Sequence, residues 1–327
     1  MVSYLEEFPF FLSVFETALE AVDPIHLPAY QGSTLRGAFG QAFRQIACAV
    51  RRTYCPDCLL REKCVYAYVF ETPPPAEAAM MRLYPTVPHP YVLEPPSAGR
   101  REVAPGEPLT MRLVLVGRGL EYLPYYVYAV QQMGRLGLGR DRGRFILKKV
   151  AQVGWPSDGR TVLFEDGAGR LERPSPPVTW PEIAALSRSQ AGVAEIGLEL
   201  ITPLRLKYDG RLVHDFEFHH LIRNLLRRLS ALSYFHCGGD GRLDFRRLIK
   251  QATAVETTER HVGWLDWERY SSRQDSRMKL GGLVGRAVFR GELGEFLPYL
   301  RLGELVHAGK GTSFGLGKYR LNWSQTK

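Results

Sequence analysis

The chain has 327 residues, of which 45% are hydrophobic and 24% are charged, and its formal net charge is +9 at pH 7. This length favours two domains, and no apolar run reaches the roughly 20 residues of a membrane-spanning helix, so we expect no membrane partner. The N-terminal MVSYLEEFPF lacks the basic start and the cleavage site of a signal peptide, which predicts a soluble cytoplasmic protein, and the positive excess favours a polyanionic partner.

The first half of the chain is predicted to run strand, helix, strand, strand, helix, strand. The strands are expected at 8–18, 91–94, 109–116 and 145–153, and the helices at 33–52 and 121–133. In the first helix, apolar residues such as Leu35, Phe39 and Phe43 recur at helical spacing. Ser33 or Thr34 is suited to cap the N-terminus of this helix.

The Pro-rich stretch 174–181 marks the predicted boundary between an N-terminal domain, 1–180, and a C-terminal domain, 181–327. The second half repeats the order of the first. Its strands are expected at 195–207, 252–265, 280–290 and 317–323, and its helices at 216–235 and 293–303. This order in both halves predicts an α+β fold with two tandem ferredoxin-like, RRM-like domains.

Each half carries a glycine run between its second helix and its last strand. Gly-Leu-Gly followed by a basic residue occurs at 137–140 and again at 315–318, which indicates a weak internal duplication. The second run lies within 306–319, VHAGKGTSFGLGKY, where glycines allow backbone amides to approach an anion and lysines supply charge. A plain glycine turn is the alternative. The candidate phosphate contacts here are Gly309, Lys310, Gly311, Gly315, Gly317 and Lys318.

The segment 135–149 concentrates positive charge beside the first glycine run. It holds six basic residues and one acid, Asp141. Such a segment is suited to contact a polyanion, and a solvated surface is the alternative.

Four of the five cysteines lie between Cys48 and Cys64 in the pattern C-x6-C-x2-C-x5-C. The two-residue gap between Cys55 and Cys58 is common in zinc and iron–sulfur sites. Cys48 projects away from the apolar stripe of the first helix, which fits a fourth ligand. We expect a structural zinc ion or iron–sulfur cluster in this Cys-rich insertion, with reduced unpaired thiols as the alternative.

Three stretches carry a resemblance to a known family: GSTLRGAFG at 32–40, RYSSRQ at 269–274 with KLGG at 279–282, and the glycine-rich 307–319. Together with the tandem domain order, they resemble the RAMP superfamily of CRISPR-associated proteins, and within it the pre-crRNA processing endoribonucleases. The resemblance implies RNA binding, association with other CRISPR-associated proteins, and cleavage of CRISPR transcripts within their repeats. It also implies metal-independent attack by a ribose 2′-hydroxyl on the adjacent phosphate, with no catalytic cofactor.

The resemblance directs attention to a histidine near the first helix, but 33–52 contains none. The candidates for catalysis are therefore His26 in the preceding connection, with Tyr30 close to it, and His307 in the glycine-rich loop. For each histidine a packing role is the alternative, and Lys310 is a candidate for stabilising the transition state. Further candidate RNA contacts are Arg36, Arg269 and Arg273. Two other functions fit the sequence: a non-catalytic RAMP subunit that holds guide RNA, and a metal- or cluster-binding scaffold unrelated to RNA.

Overall fold

The computed structural model describes residues 8–50, 53–96, 101–190, 192–266, 268–271, 276–279 and 281–322, with side chains omitted for 268–271 and 276–279. The chain divides into two compact units. The N-terminal unit consists of Phe10–Val178 with Ala231–Gly238. The C-terminal unit consists of Thr179–Ser230 with the described residues of Met1–Pro9 and Gly239–Lys327. Among the helices of the described residues, none combines the length and apolarity needed to cross a membrane.

The N-terminal unit is built on one antiparallel sheet. Its strands and α-helices are β1 Phe11–Ala21, β2 Ile25–His26, α1 Gly32–Ala47, β3 Tyr91–Glu94, β4 Glu102–Val103, β5 Pro108–Val116, α2 Leu123–Leu136, β6 Phe145–Val153 and β7 Arg160–Glu165. Shorter helical turns occupy Cys55–Asp57, Ala67–Glu71 and Gly117–Tyr122. The sheet order is β3-β5-β1-β6-β7, so the first strand lies in the middle.

The helices α1 and α2 pack through aromatic side chains that the helical spacing places on one face. Phe39 and Phe43 of α1 are fully buried, and the Phe39 ring stacks on Tyr126 of α2 with 5.6 Å between centroids. Tyr91 of β3 lies 5.9 Å from the Phe39 ring. These contacts form the core between the helices and the sheet.

The C-terminal unit repeats the arrangement. Its elements are α3 Trp180–Arg188, β9 Glu195–Leu204, β10 Lys207–Tyr208, β11 Arg211–Leu212, α4 Phe218–His236, α5 Phe245–Ala252, β12 Glu256–Leu265, β13 Glu268–Ser271, β14 Ser276–Lys279, β15 Gly282–Arg290, α6 Leu297–Val306 and β16 Tyr319–Asn322, with β8 Val178–Thr179 at the boundary. The helix α4 belongs to this unit as far as Ser230, and its last residues belong to the N-terminal unit. The main sheet has the order β12-β15-β9-β16. In both units the principal strands therefore follow the order second, third, first, fourth, which confirms the predicted α+β fold with ferredoxin-like order.

Several predicted boundaries were wrong for local reasons. The first helix ends at Ala47, because Cys48 adopts an extended conformation and Arg44 donates from Nη2 to the carbonyl of Thr53 at 3.2 Å. Its N-cap is Gln31, which makes no side-chain capping bond, so neither Ser33 nor Thr34 caps it.

Two helices were not predicted. The Pro-rich boundary contains the start of α3, where Pro181 occupies the first turn and Thr179 and Glu182 form a capping box. The strand predicted from residue 252 starts at Glu256, because the chain before it forms α5, capped by Asp244.

Candidate functional site

The short strand β2 places His26 at the surface of the N-terminal unit. It pairs antiparallel with β4, opposite Glu102. Side chains alternate across a strand, so Ile25 is fully buried while His26 is exposed. The side chain of His26 is therefore exposed to solvent, while its backbone is held in place by the buried neighbour Ile25.

The first glycine run lies directly against this strand. The Arg140 amide donates to the His26 carbonyl at 3.1 Å, and Leu138 forms a bridge with Gly143 that closes the loop. Gly139 has φ +80°, and a Cβ at this position would lie 2.2 Å from the His26 carbonyl oxygen. A glycine is thus required here for the loop to contact the strand.

The imidazole of His26 has a carboxylate partner from the same loop. Its Nδ1 lies 2.8 Å from Oδ2 of Asp141, with both side chains substantially exposed, at 45% and 60%. They line an open cavity of about 660 Å³. The remaining lining residues are Leu27, Pro28, Thr34, Arg101, Glu102, Gly139 and Arg140.

The chemistry of this cavity combines an imidazole with cations. A histidine that donates from Nδ1 to a carboxylate has Nε2 available to accept a proton. Arg101 and Arg140 supply guanidinium groups suited to a phosphate. The arrangement has the components of general-base catalysis on a phosphodiester.

Tyr30 lies between β2 and α1. Its side chain is partly buried, and burial raises the pKa of its hydroxyl well above the ordinary value. The phenol therefore stays protonated at neutral pH, as an ordinary tyrosine does, and Tyr30 is not among the residues that line the cavity around His26.

The glycine-rich loop of the C-terminal unit encloses the other candidate histidine. His307 is 0% exposed, and its Nδ1 lies 3.1 Å from the carbonyl oxygen of Leu316 across the loop. Its backbone has φ +63°, so the turn out of α6 is made at His307 itself. In this conformation the imidazole ties the loop together and has no path to a substrate.

Backbone and side-chain bonds hold the same loop closed. The Ala308 amide donates to the Gly317 carbonyl at 3.0 Å. Arg228, buried in α4, donates two hydrogen bonds to the carbonyl of Val306, at 2.9 and 3.1 Å. Burial lowers the pKa of Arg228 to about 9. The closed base of the loop presents the segment around Lys310 outward.

Lys310 lies within a group of positive charges. Its side chain is exposed, and its amide donates to the Arg205 carbonyl at 2.9 Å. Partial burial lowers the pKa of the Lys310 ammonium, and the neighbouring cations Lys207, Arg205 and Arg227 lower it further. We call Lys207, Arg205, Arg227 and Lys310 the basic cluster. Because these positive charges repel one another, binding of a polyanion to the cluster relieves an unfavourable interaction.

Other predicted contacts have different surroundings. The guanidinium of Arg36 lies 4.3 Å from the Phe70 ring centroid, and Nη2 lies 3.1 Å from Nε2 of His89, so the side chain is half-buried within the N-terminal unit. The Lys318 amide donates to the Thr202 hydroxyl at 2.9 Å. Arg269 lies on the hairpin β13–β14, where only its backbone is described, and Arg273 lies outside the described residues.

The open face of the C-terminal sheet carries paired charges. Arg290 pairs with Glu195 across the strands at 2.6 Å, and Arg286 lies 3.6 Å from Glu259. Arginines that are already paired with glutamates attract RNA weakly. The basic cluster is therefore the more favourable phosphate contact in this unit.

The four clustered cysteines are free thiols near the base of α1. Cys55 begins a 3-10 turn, and the Cys58 amide donates to its carbonyl at 3.3 Å. The pKa of Cys55 is raised by burial first and then by Glu71, with further increases from Cys48 and Cys64 and an opposing decrease from Arg44. Within the described residues, no three of these sulfurs lie within 4.8 Å of one another.

One group of three potential metal-binding side chains does meet that distance, at the start of α4: Glu217, His219 and His220. Hydrogen bonds account for its geometry. His219 Nε2 lies 3.0 Å from a Glu217 carboxylate oxygen, and the Glu217 amide donates to His220 Nδ1 at 3.2 Å. The second bond caps the helix, because it satisfies an amide before the first turn.

The sequence alone did not assign Asp141 or Arg101 to the cavity around His26. The available signal for Asp141 was its position as the one acid in the basic segment 135–149. No feature of the sequence pointed to Arg101, because the pairing of β4 with β2 brings it to the cavity.

Comparison with known proteins adds family information. A family model described as AF_1859_N, an N-terminal domain, matches residues 8–176, just over half of the chain. A second model, described as CRISPR-associated endoribonuclease Cas6, matches residues 198–319. An uncharacterized protein of Archaeoglobus fulgidus is 26% identical over 306 residues, covering 90% of this chain and 93% of that protein.

Solved structures share the fold. A Cas6 of Thermus thermophilus superposes with a TM-score of 0.53 at 14% identity, covering 96% of this chain and 99% of that chain. A partial Cas6-RT-Cas1–Cas2 complex gives a TM-score of 0.59 at 12% identity and covers 97% of this chain. The present chain spans 47% of that longer chain.

Proposed function

This chain belongs to the family of the AF_1859 N-terminal domain and carries a CRISPR-associated Cas6 domain in its second half, and from this premise we propose that it is an RNA-binding endoribonuclease. Its substrate is a CRISPR precursor transcript, which it cleaves within the repeats to release guide RNAs. Its partners are this RNA and other CRISPR-associated proteins. The Cas6 domain match carries the proposal.

The proposed chemistry needs no metal. Nε2 of His26 accepts the proton of a ribose 2′-hydroxyl, and the 2′-oxygen forms a bond to the adjacent phosphorus while the bond to the 5′-oxygen breaks. Tyr30 donates a proton to the departing 5′-oxygen, which leaves a cyclic phosphate and a free 5′-hydroxyl. Arg101 and Arg140 stabilise the charge that develops on the phosphoryl oxygens. Solvent then returns the proton from His26 to Tyr30.

His26 is the preferred base because its ring lines an open cavity, whereas His307 is enclosed. We propose that His307 shapes the glycine-rich loop, and that Gly309, Gly311, Gly315 and Gly317 set the backbone that presents Lys310 and Lys318 to RNA. The basic cluster then binds the phosphates of the RNA backbone and takes no part in bond cleavage.

The decisive experiment is cleavage of a synthetic CRISPR repeat RNA from the same genome, in EDTA. Full-length protein should cut at one position, and a 2′-deoxy substitution there should block cleavage. We expect His26→Ala to lower the single-turnover rate by about 10²- to 10⁴-fold. His307→Ala should reduce cleavage mainly by destabilising the fold. Lys310→Ala should reduce it mainly by weakening RNA binding. Absence of cleavage by the wild-type protein overturns the enzymatic proposal.

A non-catalytic subunit that holds guide RNA is the second candidate, and the basic cluster favours it equally. This function predicts tight, salt-sensitive RNA binding with no cleavage in the same assay. Failure to bind any RNA at low salt would contradict both functions and leave a scaffold role.

We further propose that Cys48, Cys55, Cys58 and Cys64 hold a structural zinc ion or iron–sulfur cluster. The spacing of the four cysteines supports this proposal, and Cys48 and Cys64 are both close enough to Cys55 to raise its pKa. Binding would draw the four sulfurs closer together than they lie here. Metal analysis of freshly purified protein tests the proposal: about one equivalent of zinc, or iron with brown colour, is expected, and a metal-free colourless protein contradicts it.

A further inference from the structure

The loop 137–143, which joins α2 to β6, supports His26 in two ways. Its backbone holds the strand of His26, because Arg140 donates to the His26 carbonyl and Gly139 allows the close approach. Its side chain holds the imidazole, because Asp141 Oδ2 lies 2.8 Å from Nδ1. One loop therefore fixes both ends of the same residue.

We propose that Asp141 is the positioning residue of the reaction. It keeps the neutral His26 ring in the form that carries its proton on Nδ1, so that Nε2 is the acceptor. It also stabilises the imidazolium that forms when the 2′-hydroxyl proton is transferred. This inference rests on the proposed function, and it gives the first glycine run a role in the site.

The other charged groups around His26 do not replace Asp141. Glu102 faces His26 across the pairing of β2 with β4, and Arg101 and Arg140 line the same cavity. The arginines oppose an imidazolium, and a bound phosphate would offset their charge. Among the described residues, the direct contact with the ring nitrogen comes from the carboxylate of Asp141.

The first test measures the ring itself, without RNA. Nitrogen NMR of full-length protein with labelled histidine reports which ring nitrogen carries the proton, and His26→Gln assigns the signal. We expect the Nδ1–H form in the wild type, and for Asp141→Asn a shift toward the other tautomer. An unchanged His26 tautomer in Asp141→Asn overturns the proposal.

The second test measures the pH dependence of single-turnover cleavage. Asp141→Asn should lower the rate at least about tenfold and move the acidic limb of the profile to lower pH, while RNA affinity stays constant. Asp141→Glu should recover part of the rate. Asp158→Asn, which removes an exposed carboxylate elsewhere in the N-terminal unit, is the control and should match the wild type.

The two tests separate the possible failures. If Asp141→Asn cleaves like the wild type while His26→Ala is inactive, the positioning role is wrong and the proposed function stands. If the wild type does not cleave, the proposed function is wrong, and the NMR result still decides whether Asp141 controls His26.

Discussion

Glu304 of α6 is an acidic residue whose surroundings disfavour the charged form of its carboxyl group. Its side chain is partly covered, and one carboxylate oxygen accepts a hydrogen bond from the Leu321 amide of β16 at 2.8 Å. Burial raises the pKa of Glu304 to about 7, although this hydrogen bond and the charges of Arg301 and Arg320 oppose the increase. The carboxyl group therefore titrates near neutrality in the folded protein.

This titration predicts a loss of stability as pH rises. The ordinary pKa of 4.5 applies to the unfolded chain, so the folded state binds the extra proton between about pH 4.5 and 7. The contribution of Glu304 to the free energy of unfolding is full below this window and falls by about 3 kcal/mol across it. Glu304→Gln should remove that part of the pH dependence, measured by urea unfolding from about pH 5 to pH 8.

The matched control is Glu292→Gln, which changes an exposed acid in the same unit. Its unfolding free energy should follow the wild-type pH dependence. Parallel curves for Glu304→Gln and the wild type would show that Glu304 titrates normally.

Residue type and position in the sequence identified both candidate histidines but could not rank them. His26 precedes the first helix and His307 lies in the glycine-rich loop, and their difference in exposure arises from tertiary contacts. His307 is enclosed by Leu316 and the loop, whereas β2 turns His26 outward. The pairing with Asp141 likewise joins residues that are remote in the chain.

Among the elements, the glycine-rich loop depends most on its backbone conformation. Gly317 has φ +73°, and a Cβ there would lie 1.9 Å from the Ala308 carbonyl oxygen. An alanine would have to leave the left-handed region or push this carbonyl away. Either change breaks the contact between the Ala308 amide and the Gly317 carbonyl.

We therefore expect Gly317→Ala to destabilise the protein by about 2–4 kcal/mol, combining left-handed strain with the clash. It should also weaken RNA binding, because the loop that presents Lys310 is displaced. Urea unfolding and RNA titration measure the two effects.

Gly210→Ala provides the comparison, since Gly210 has φ +77° with no atom near its Cβ position. It should cost only about 1 kcal/mol, from the backbone strain. Equal losses for the two variants would mean that the contact with Ala308 is unimportant.

The order of elements was predictable, and their ends were less so. Apolar periodicity located the main strands of both sheets and the helices between those strands. The end of α1 is set by the extended backbone of Cys48, which periodicity does not reveal. The start of α3 did carry a local signal, Thr179 with Glu182 around Pro181, and the proline content of the region concealed it.

At the scale of the molecule, the net charge of +9 should appear as salt-dependent RNA affinity. The logarithm of the association constant should fall linearly with the logarithm of salt concentration. Lys207→Ala and Lys310→Ala should each reduce the slope by about 0.7 if each lysine contacts one phosphate. Filter binding across salt concentrations measures these slopes.

Arg290→Gln is the control, because this charge is already paired with Glu195. It should leave the slope within error of the wild type. A slope that neither lysine substitution changes would place the RNA contacts outside the basic cluster.

The strand order of the two sheets has a consequence for how the protein is made. In each unit the first strand is central and pairs with the last. Val14 of β1 pairs with Val153 of β6, and Leu200 of β9 pairs with Tyr319 of β16, so each pairing forms only after a long stretch of chain has been made. Such distant pairings slow folding, and the waiting strands expose unpaired edges to other nascent chains. During synthesis, β1 leaves the ribosome long before β6, so the edge of β1 that pairs with β6 stays open until residue 153 has been made.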